Sequence, residues 1–404
     1  MTYRKLLELY KNGQLEDSQR EKVERDIERQ DAISEYLFNE VEVPGIDSLK
    51  SDNTQVDLGE NGVKDTLEDE AHIFTKMVNK KIRRAFIKMG LAIGVIILAI
   101  VMFVIFALPQ AVDSLYYNPS EVAGKSEVLE TNRISLDLAV YSEIFLPGQY
   151  RDNVLVEENG YGEYDINVLQ SASYNGIFTN VGGKLKRDKL TLYDPNLLKK
   201  PIGNAFVTVI YDEDSNTYRL GSDTTFEDVV NDIKKLDEED LYYAFVTLNE
   251  VTKYSEFIDW CKKNDVSPEW CSIKDGGVEL STLGNPLGFN YSVACTELLY
   301  DKNTYPYLSS FDTGKIEYED PNGVIPEDVM TTHVVSLYNY MAKQTEFNKM
   351  VKSSISSEEY SKIAANVKQN GLNIYGFTVV GKKSDLLKLL ETNDVAYIYT
   401  QSIK

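Results

Sequence analysis

Two histidines and three cysteines in 404 residues leave little from which to build a metal centre or a thiol-based active site. His72 and His333 lie far apart in sequence, and neither has the second histidine four residues away that a zinc protease helix needs. Each is expected to be a structural histidine with its hydrogen bonds satisfied. No G-x-S-x-G, S-x-x-K or P-loop occurs. Gly182-Gly183-Lys184 lacks the first glycine and the trailing Ser/Thr of a phosphate-binding loop. Carboxylates are so many after residue 109 that pairing any two as acid and base is arbitrary. The chain reads as no enzyme, with no cofactor and no metal.

Positive charge is also scarce. Lys+Arg number 42 against 64 Asp+Glu, a net charge of −22. Phosphate binding needs a basic surface, so nucleic acid is excluded as a partner. The deficit is uneven: 15 cations face 19 anions before residue 89, and 27 face 45 after it. An acidic surface keeps like-charged neighbours apart but names no ligand.

Long hydrophobic runs are missing except for one. Met89 to Leu108 (MGLAIGVIILAIVMFVIFAL) carries no charge over twenty residues. Such a helix reaches roughly 30 Å, the thickness of a hydrocarbon core. It lies too far from Met1 and is too long for a signal peptide, so it reads as an anchor in a lipid bilayer. Pro109 follows and suits a helix end. Lys76, Lys80, Lys81, Arg83, Arg84 and Lys88 precede the run, whereas the first cation after it is Lys125. Excess Lys and Arg stay in the cytoplasm, so the expected location is the cell membrane, single-pass, with the N-terminus inside and the C-terminal portion extracellular. Lys76, Lys80, Arg84 and Lys88 share one helical face, which either lies on anionic headgroups or merely sets the topology.

The resulting fold class is α+β with six parts. Residues 1–40 form a cytosolic helical module, with a short helix over Tyr3–Lys11, a stop at Asn12-Gly13 and a longer helix capped by Asp17. Residues 41–70 are acidic and aperiodic, an expected disordered tether spanning about 30 Å. A basic juxtamembrane helix at 71–88 continues into the transmembrane helix at 89–108. The extracellular portion opens with a β-rich region at 109–235, where RISLDLAVY, DNVLVEE, YDINVLQS, DKLTLYD and NAFVTVIYD read as strands. Residues 236–404 alternate strand and helix: LYYAFVTL, a helix from Thr252, EWCSI, helices carrying Met330–Met341 and Tyr360–Val367, then LNIYGFTVVG, a helix capped by Ser384, and VAYIYTQSI. Two β-α-β units imply an α+β sheet with helices on one face.

The cysteines all follow the anchor. Cys261 and Cys271 form a disulfide if their α-carbons come within about 7 Å. Alternatively, Tyr254, Phe257, Ile258 and Cys261 follow i, i+3, i+4, i+7 spacing, which makes Cys261 a small apolar residue on the inner face of a helix. Cys295 is the odd one and is expected to be buried.

Two segments carry a family resemblance. IFTKMVNKKIRRAFIKMGLAIGVI with SLYYNP after the span resembles the N-terminal region of the sigma-factor-regulator family, membrane-bound anti-sigma factors of Gram-positive bacteria. YAFVTLNEVTKYSEFIDWCKKNDVSPEWCSI and NGLNIYGFTVVGKKSDLLKLLE look like its C-terminal domain. Residues 3–37 are similar to the zinc-binding anti-sigma domain, whose long helix leads to H-x3-C-x2-C. Asp26, Gln30 and Ile33 occupy those three positions, and this set does not hold structural zinc. The resemblance therefore implies a zinc-free version.

What the resemblance implies is an anti-sigma factor that sequesters a cognate extracytoplasmic-function sigma factor under control of an extracellular sensor domain. The contact residues would be Leu6, Leu7, Leu9, Tyr10, Leu15, Val23, Ile27, Ile33, Tyr36 and Leu37, an amphipathic face laid into a groove. A membrane protease is one route to release, and a shift in helix packing is another. The alternative reading is a membrane-tethered envelope protein whose extracellular domain binds a wall polymer or a protein.

Overall fold

The computed structural model describes residues 5, 9–40, 66–199, 205–212, 217–221, 224–274, 286–291, 298–309 and 325–403. The chain divides into two compact units, Met1–Leu91 and Ala92–Lys404. Leu6, Leu7, Cys295 and the tether as far as residue 65 lie outside the described residues.

In the first unit, residues 9–11 are helical and Gly13 turns the chain at φ +65°. That left-handed conformation favours glycine. It lets the Gln14 N–H reach back to the Leu9 carbonyl at 2.9 Å. Helix α1 follows over Asp17–Glu40. Asp17 is its first helical residue and not its cap. The Glu16 carbonyl accepts the first helical hydrogen bonds, from the Gln19 and Arg20 N–H groups. The Asp17 carboxylate still sits in the first turn, where the helix dipole favours negative charge.

Helix α2 runs over Thr66–Met102, widens to a π-helix at Phe103–Ala107 and ends in α3, Leu108–Asp113, with Pro109 in its first turn. Strands β1 (Val122–Lys125) and β2 (Glu130–Asn132) then pair as a small hairpin.

RISLDLAVY is no strand but the start of helix α4, Arg133–Phe145. Asn132 caps it, its side-chain oxygen accepting from the Ser135 N–H at 3.0 Å. The helix is buried nearly all round, Ile134, Leu136, Leu138, Val140, Ile144 and Phe145 included. A helix without a polar face has no 3.6-residue signal, so alternation and helical periodicity fit it equally well.

An antiparallel meander follows, β3 (Gln149–Gly160), β4 (Glu163–Ala172), β5 (Phe178–Lys186) and β6 (Lys189–Leu192). Its inward face alternates as a half-buried sheet should, with Val154 opposite Val168 and Val168 opposite Val181. Gly182-Gly183-Lys184 lies inside β5. A Cβ on Gly183 would stand 2.9 Å from the Leu192 side chain, so that glycine answers to packing. A short hairpin of β7 (Val209–Asp212) and β8 (Thr217–Leu220) leads to helix α5, Phe226–Lys234. Its capping box joins Thr225 and Asp228.

The last sheet holds β9 (Leu241–Lys253), β10 (Trp270–Ile273), β11 (Gly288–Asn290), β12 (Asn373–Lys382) and β13 (Val395–Ser402) in the order β11-β10-β12-β9-β13. All four pairings are antiparallel. Helix α6 (Tyr254–Asn264) carries the chain from β9 over β12 to β10. Helix α10 (Lys383–Glu391) carries it from β12 over β9 to β13. Two interleaved split β-α-β units make this a ferredoxin-like sheet with one added edge strand. Between β11 and β12 are inserted α7 (Glu327–Lys343), α8 (Thr345–Met350) and α9 (Ser357–Asn370), the last ended by Gly371 at φ +76°. Lys382, not Ser384, is the cap residue of α10, and its backbone N–H donates to Asp385 Oδ2 at 3.1 Å.

Both faces of this sheet are covered. One carries Val246 flanked by Phe377 and Ile398 across the strands, and α6, α7, α9 and α10 contribute to the same cluster. Ile134, Val168 and Val181 from residues 109–235 belong to that cluster too, so a single core runs through both stretches. The other face carries Tyr243, Phe245 and Trp270 under Phe206 and Tyr174. There the close approach of Phe206, 2.7 Å from a Cβ built on Gly376, excludes a side chain.

Candidate functional site

Among the described residues one helix, within Lys76–Asp113, is long and apolar enough to cross a membrane, and none of its apolar window is buried. Leu91, Val95, Leu98 and Phe106 are 60–65% exposed. Each such side chain would gain about 1.5–3 kcal/mol on leaving water. No described residue covers them. Lys76, Lys80, Lys81, Arg83, Arg84 and Lys88 sit on the same helix before the apolar window, and all are exposed.

The N-terminal unit holds the candidate partner surface, and its members fall into three groups. Val23 is buried, 1% exposed, so it belongs to packing within the fold and not to a free face. Leu9, Tyr10 and Leu15 are half-buried. The Tyr10 hydroxyl donates to Glu24 Oε1 at 3.2 Å, and Arg20 Nε reaches the same oxygen at 3.1 Å. Partial burial and the Glu24 carboxylate hold the Tyr10 hydroxyl above its ordinary pKa. Ile27, one turn beyond Val23, is exposed. The side chains of Ile33, Tyr36 and Leu37 lie outside the described residues, as do Leu6 and Leu7. Sequence spacing placed Val23 and Ile27 on one face, but did not show which is inward. The pairing of Tyr10 with Glu24, fourteen residues apart, had no sequence signal.

Among the described residues no three His, Cys, Asp or Glu side chains converge as a metal site. Cys261 and Cys271 are not joined: both are free and buried. Of the two readings of Cys261, packing holds, since Tyr254, Phe257, Ile258 and Cys261 form the buried face of α6. Burial pushes both thiols well above their usual pKa, which makes them unreactive.

Polar groups inside the second unit are structural ties. Asp137 is fully buried on α4 and accepts from the Tyr117 hydroxyl at 2.7 Å and the Tyr340 hydroxyl at 2.6 Å. Burial raises its pKa to about 6, against the opposing pull of the two hydroxyls and Arg133. Arg133 lies over the Tyr117 ring at 4.6 Å and pairs with Glu121 and Glu346. The cluster joins α4, α7, α8 and the segment that follows α3. A lone carboxylate inside the apolar run RISLDLAVY was the signal that could have found it.

His333 is buried on α7, as expected of a satisfied histidine. Its Nδ1 lies 2.6 Å from the Tyr307 carbonyl and its Nε2 lies 2.7 Å from Glu143 Oε1. Both partners accept, so each favours a proton on its ring nitrogen. Burial alone lowers the His333 pKa, but the Glu143 carboxylate and the Tyr307 carbonyl together outweigh it and the net shift is upward. The cleft beside Arg133, about 280 Å³, is smaller than most ligand pockets and is lined by Glu121, Asp301, Tyr305 and Tyr340.

Residues 233–399 match the family model described as "Sigma factor regulator C-terminal". The match runs from the end of α5 through the split β-α-β sheet and its helical insertion into β13. No curated protein and no solved structure matches the chain. The last two-fifths of the chain are thus similar to a sigma factor regulator C-terminal domain.

Proposed function

We propose that the chain is a single-pass membrane anti-sigma factor, with its N-terminal helices in the cytoplasm and the unit carrying the regulator domain outside. The observation that carries this reading is the family match over residues 233–399. The exposed apolar helix supports the membrane location. The cations clustered before the run and absent until Lys125 after it support the N-inside orientation. A sigma factor works on RNA polymerase in the cytoplasm, so only the first unit has access to it. An extracytoplasmic-function sigma factor, held in a helix-in-groove complex, fits a module this small. Its contact face centres on Ile27, flanked by Leu9, Tyr10, Leu15, Leu6, Leu7, Ile33, Tyr36 and Leu37. Val23 sits beneath that face and supports it. With Asp26, Gln30 and Ile33 in place of zinc ligands, the module acts without a metal. The outer unit then serves as the sensor, and a membrane protease or a helix shift releases the sigma factor.

Deleting residues 1–40 from the full chain tests the reading. Under an anti-sigma role the target promoters are induced while the truncated protein stays in the membrane. If the protein is instead a tethered envelope binder, transcription does not change, and the proposal fails. Reporter fusions at Met1 and Lys404 test the orientation: an N-terminal tag active only outside the cell would overturn it.

A further inference from the structure

The membrane helix does not end in regular register. Across Phe103–Ala107 it is a π-helix, and the Leu108 N–H donates to the Phe103 carbonyl five residues back. Pro109 comes next and has no N–H. The Val104 carbonyl therefore loses both helical donors within its reach, the N–H groups of residues 108 and 109. The Tyr161 hydroxyl takes their place and donates to it at 2.8 Å.

Tyr161 is the tip of the β3–β4 hairpin, between Gly160 and Gly162. All three residues have left-handed φ values, of +77°, +59° and +73° in chain order. A tyrosine held in that conformation is strained and persists only where its surroundings fix it. Three more bonds do so. The Gly162 N–H donates to Asp113 Oδ1 at 2.5 Å, and the Arg187 N–H donates to the Gly162 carbonyl at 2.8 Å. The Tyr117 N–H donates to Asp188 Oδ1 at 2.7 Å. The tips of two hairpins, β3–β4 and β5–β6, are thereby pinned along the segment between Val104 and Tyr117, the end of the helix and the turn after it.

The depth of that attachment decides what the tips touch. The uncharged run continues to Leu108, so Val104 lies about 6 Å inside its end. A folded hairpin bound at that level stands in the headgroup layer. The neighbouring side chains suit it. Ile105 and Phe106 are exposed, and Leu115 is 74% exposed. Tyr116 and Tyr161 are half-buried, with the amphipathic rings found at membrane interfaces. Lys184 and Lys186 are engaged by Asp165 and Glu163, whereas Arg187 and Lys189 are exposed and make no ion pair among the described residues.

We propose that the second unit rests on the bilayer it is anchored to. The Gly160–Gly162 and Arg187–Asp188 tips enter the phospholipid headgroup layer, with Tyr161 at the interface and Arg187 and Lys189 on lipid phosphates. The occupant of this surface is lipid, because the helix that pins the tips is itself the membrane span. The inference rests on the membrane-spanning reading above. It adds that the folded unit does not hang from a flexible stalk, so strain in its sheet bears directly on the helix.

The test uses the full chain carrying Cys295→Ser, in vesicles of phosphatidylcholine and phosphatidylglycerol. Spin labels are placed singly by Leu98→Cys, Arg187→Cys, Lys189→Cys and Ile177→Cys, Cys261 and Cys271 being buried. Ile177 lies beyond the far end of β4, about 33 Å of strand from the Tyr161 tip. Relaxation by oxygen reports lipid, and relaxation by a water-soluble nickel chelate reports solvent. The expected result is oxygen-dominated relaxation at Leu98, full nickel access at Ile177, and nickel access reduced several-fold at both 187 and 189. If 187 and 189 match Ile177 while Leu98 reads as lipid, the resting surface is wrong and the span stands. If Leu98 itself reads as water, the span falls and takes this proposal with it.

Discussion

The two units differ in what their apolar residues have to pack against. Among the described residues of the first, Val23 is the single fully buried large apolar side chain, and Ile27 one turn away is exposed. The second unit buries a continuous cluster from Tyr117 to Ile398. Surface dominates in a segment of about 40 residues, so two short helices cannot enclose a core of their own. A unit that closes its own core has its stability built in, and one that leaves its apolar face open must find stability in a complex. The same contrast separates sensing from binding in the proposed function.

Substitutions that act in only one unit would sharpen this contrast. The largest effect is expected from Trp270→Ala. It removes a ring that is 0% exposed and whose indole N–H donates to the Glu143 carbonyl at 2.6 Å. A loss of about 3–5 kcal/mol in the unfolding free energy of the second unit is expected, measured by denaturant titration. A smaller loss, under about 1 kcal/mol, would mean that the second face of the sheet is not the packed layer seen here.

Next in size is the pH dependence of that unit. Asp137 binds its proton more tightly folded, about 6, than its ordinary 3.8. Its stabilising contribution is therefore complete below pH 3.8 and lost as pH rises through 6, a change of about 3 kcal/mol. His333 has the same sign, its contribution being complete below 6.5 and lost as pH rises through its higher folded value. Asp137→Asn should flatten the lower part of the curve and Glu143→Gln the upper part, followed by thermal melts from pH 4 to 8. A slope unchanged by either substitution would dissociate these groups from the titration.

In the first unit the contrast predicts binding effects without stability effects. Ile27→Glu should weaken sigma-factor capture by tenfold or more, equivalent to about 1.4 kcal/mol, and leave the helical circular dichroism signal intact. Val23→Ala should instead reduce that signal first. If both variants behave alike, the division between an inner and an outer face is wrong. The smallest effect is expected from thiol chemistry: reductant should leave the melting temperature of the second unit unchanged, because Cys261 and Cys271 are not bridged.

Legibility in the sequence followed the physics of exposure. Where one face of an element meets solvent, its period survives. Met330, Val334, Leu337 and Met341 on α7 and Tyr360, Ile363, Ala364 and Val367 on α9 were read correctly and are all buried. Where burial is complete the period disappears, which is why α4 read as a strand. FTNVGGKLK went unnoticed as β5 for the opposite reason, since Gly182 and Gly183 supply no side chain to mark either face. The caps at Asp17 and Ser384 were each misplaced by one or two residues, because many polar residues near a helix start can serve and backbone geometry chooses among them. Of the candidate partner face, the sequence supplied the composition and the fold supplied the direction: Val23 inward, Ile27 outward.

The sequence by itself determined the long apolar run, the scarcity of histidine and cysteine, and the alternation of strand and helix after residue 236. Each depends only on local composition or period, which neighbours distant in the chain cannot alter. The tertiary structure alone decided the interleaving of the two split β-α-β units, the burial of Asp137 between two tyrosines, and the bond from Tyr161 to the carbonyl that Pro109 leaves without a donor. Those arise when segments tens to hundreds of residues apart are brought within hydrogen-bond distance, and no local pattern encodes which partner will arrive.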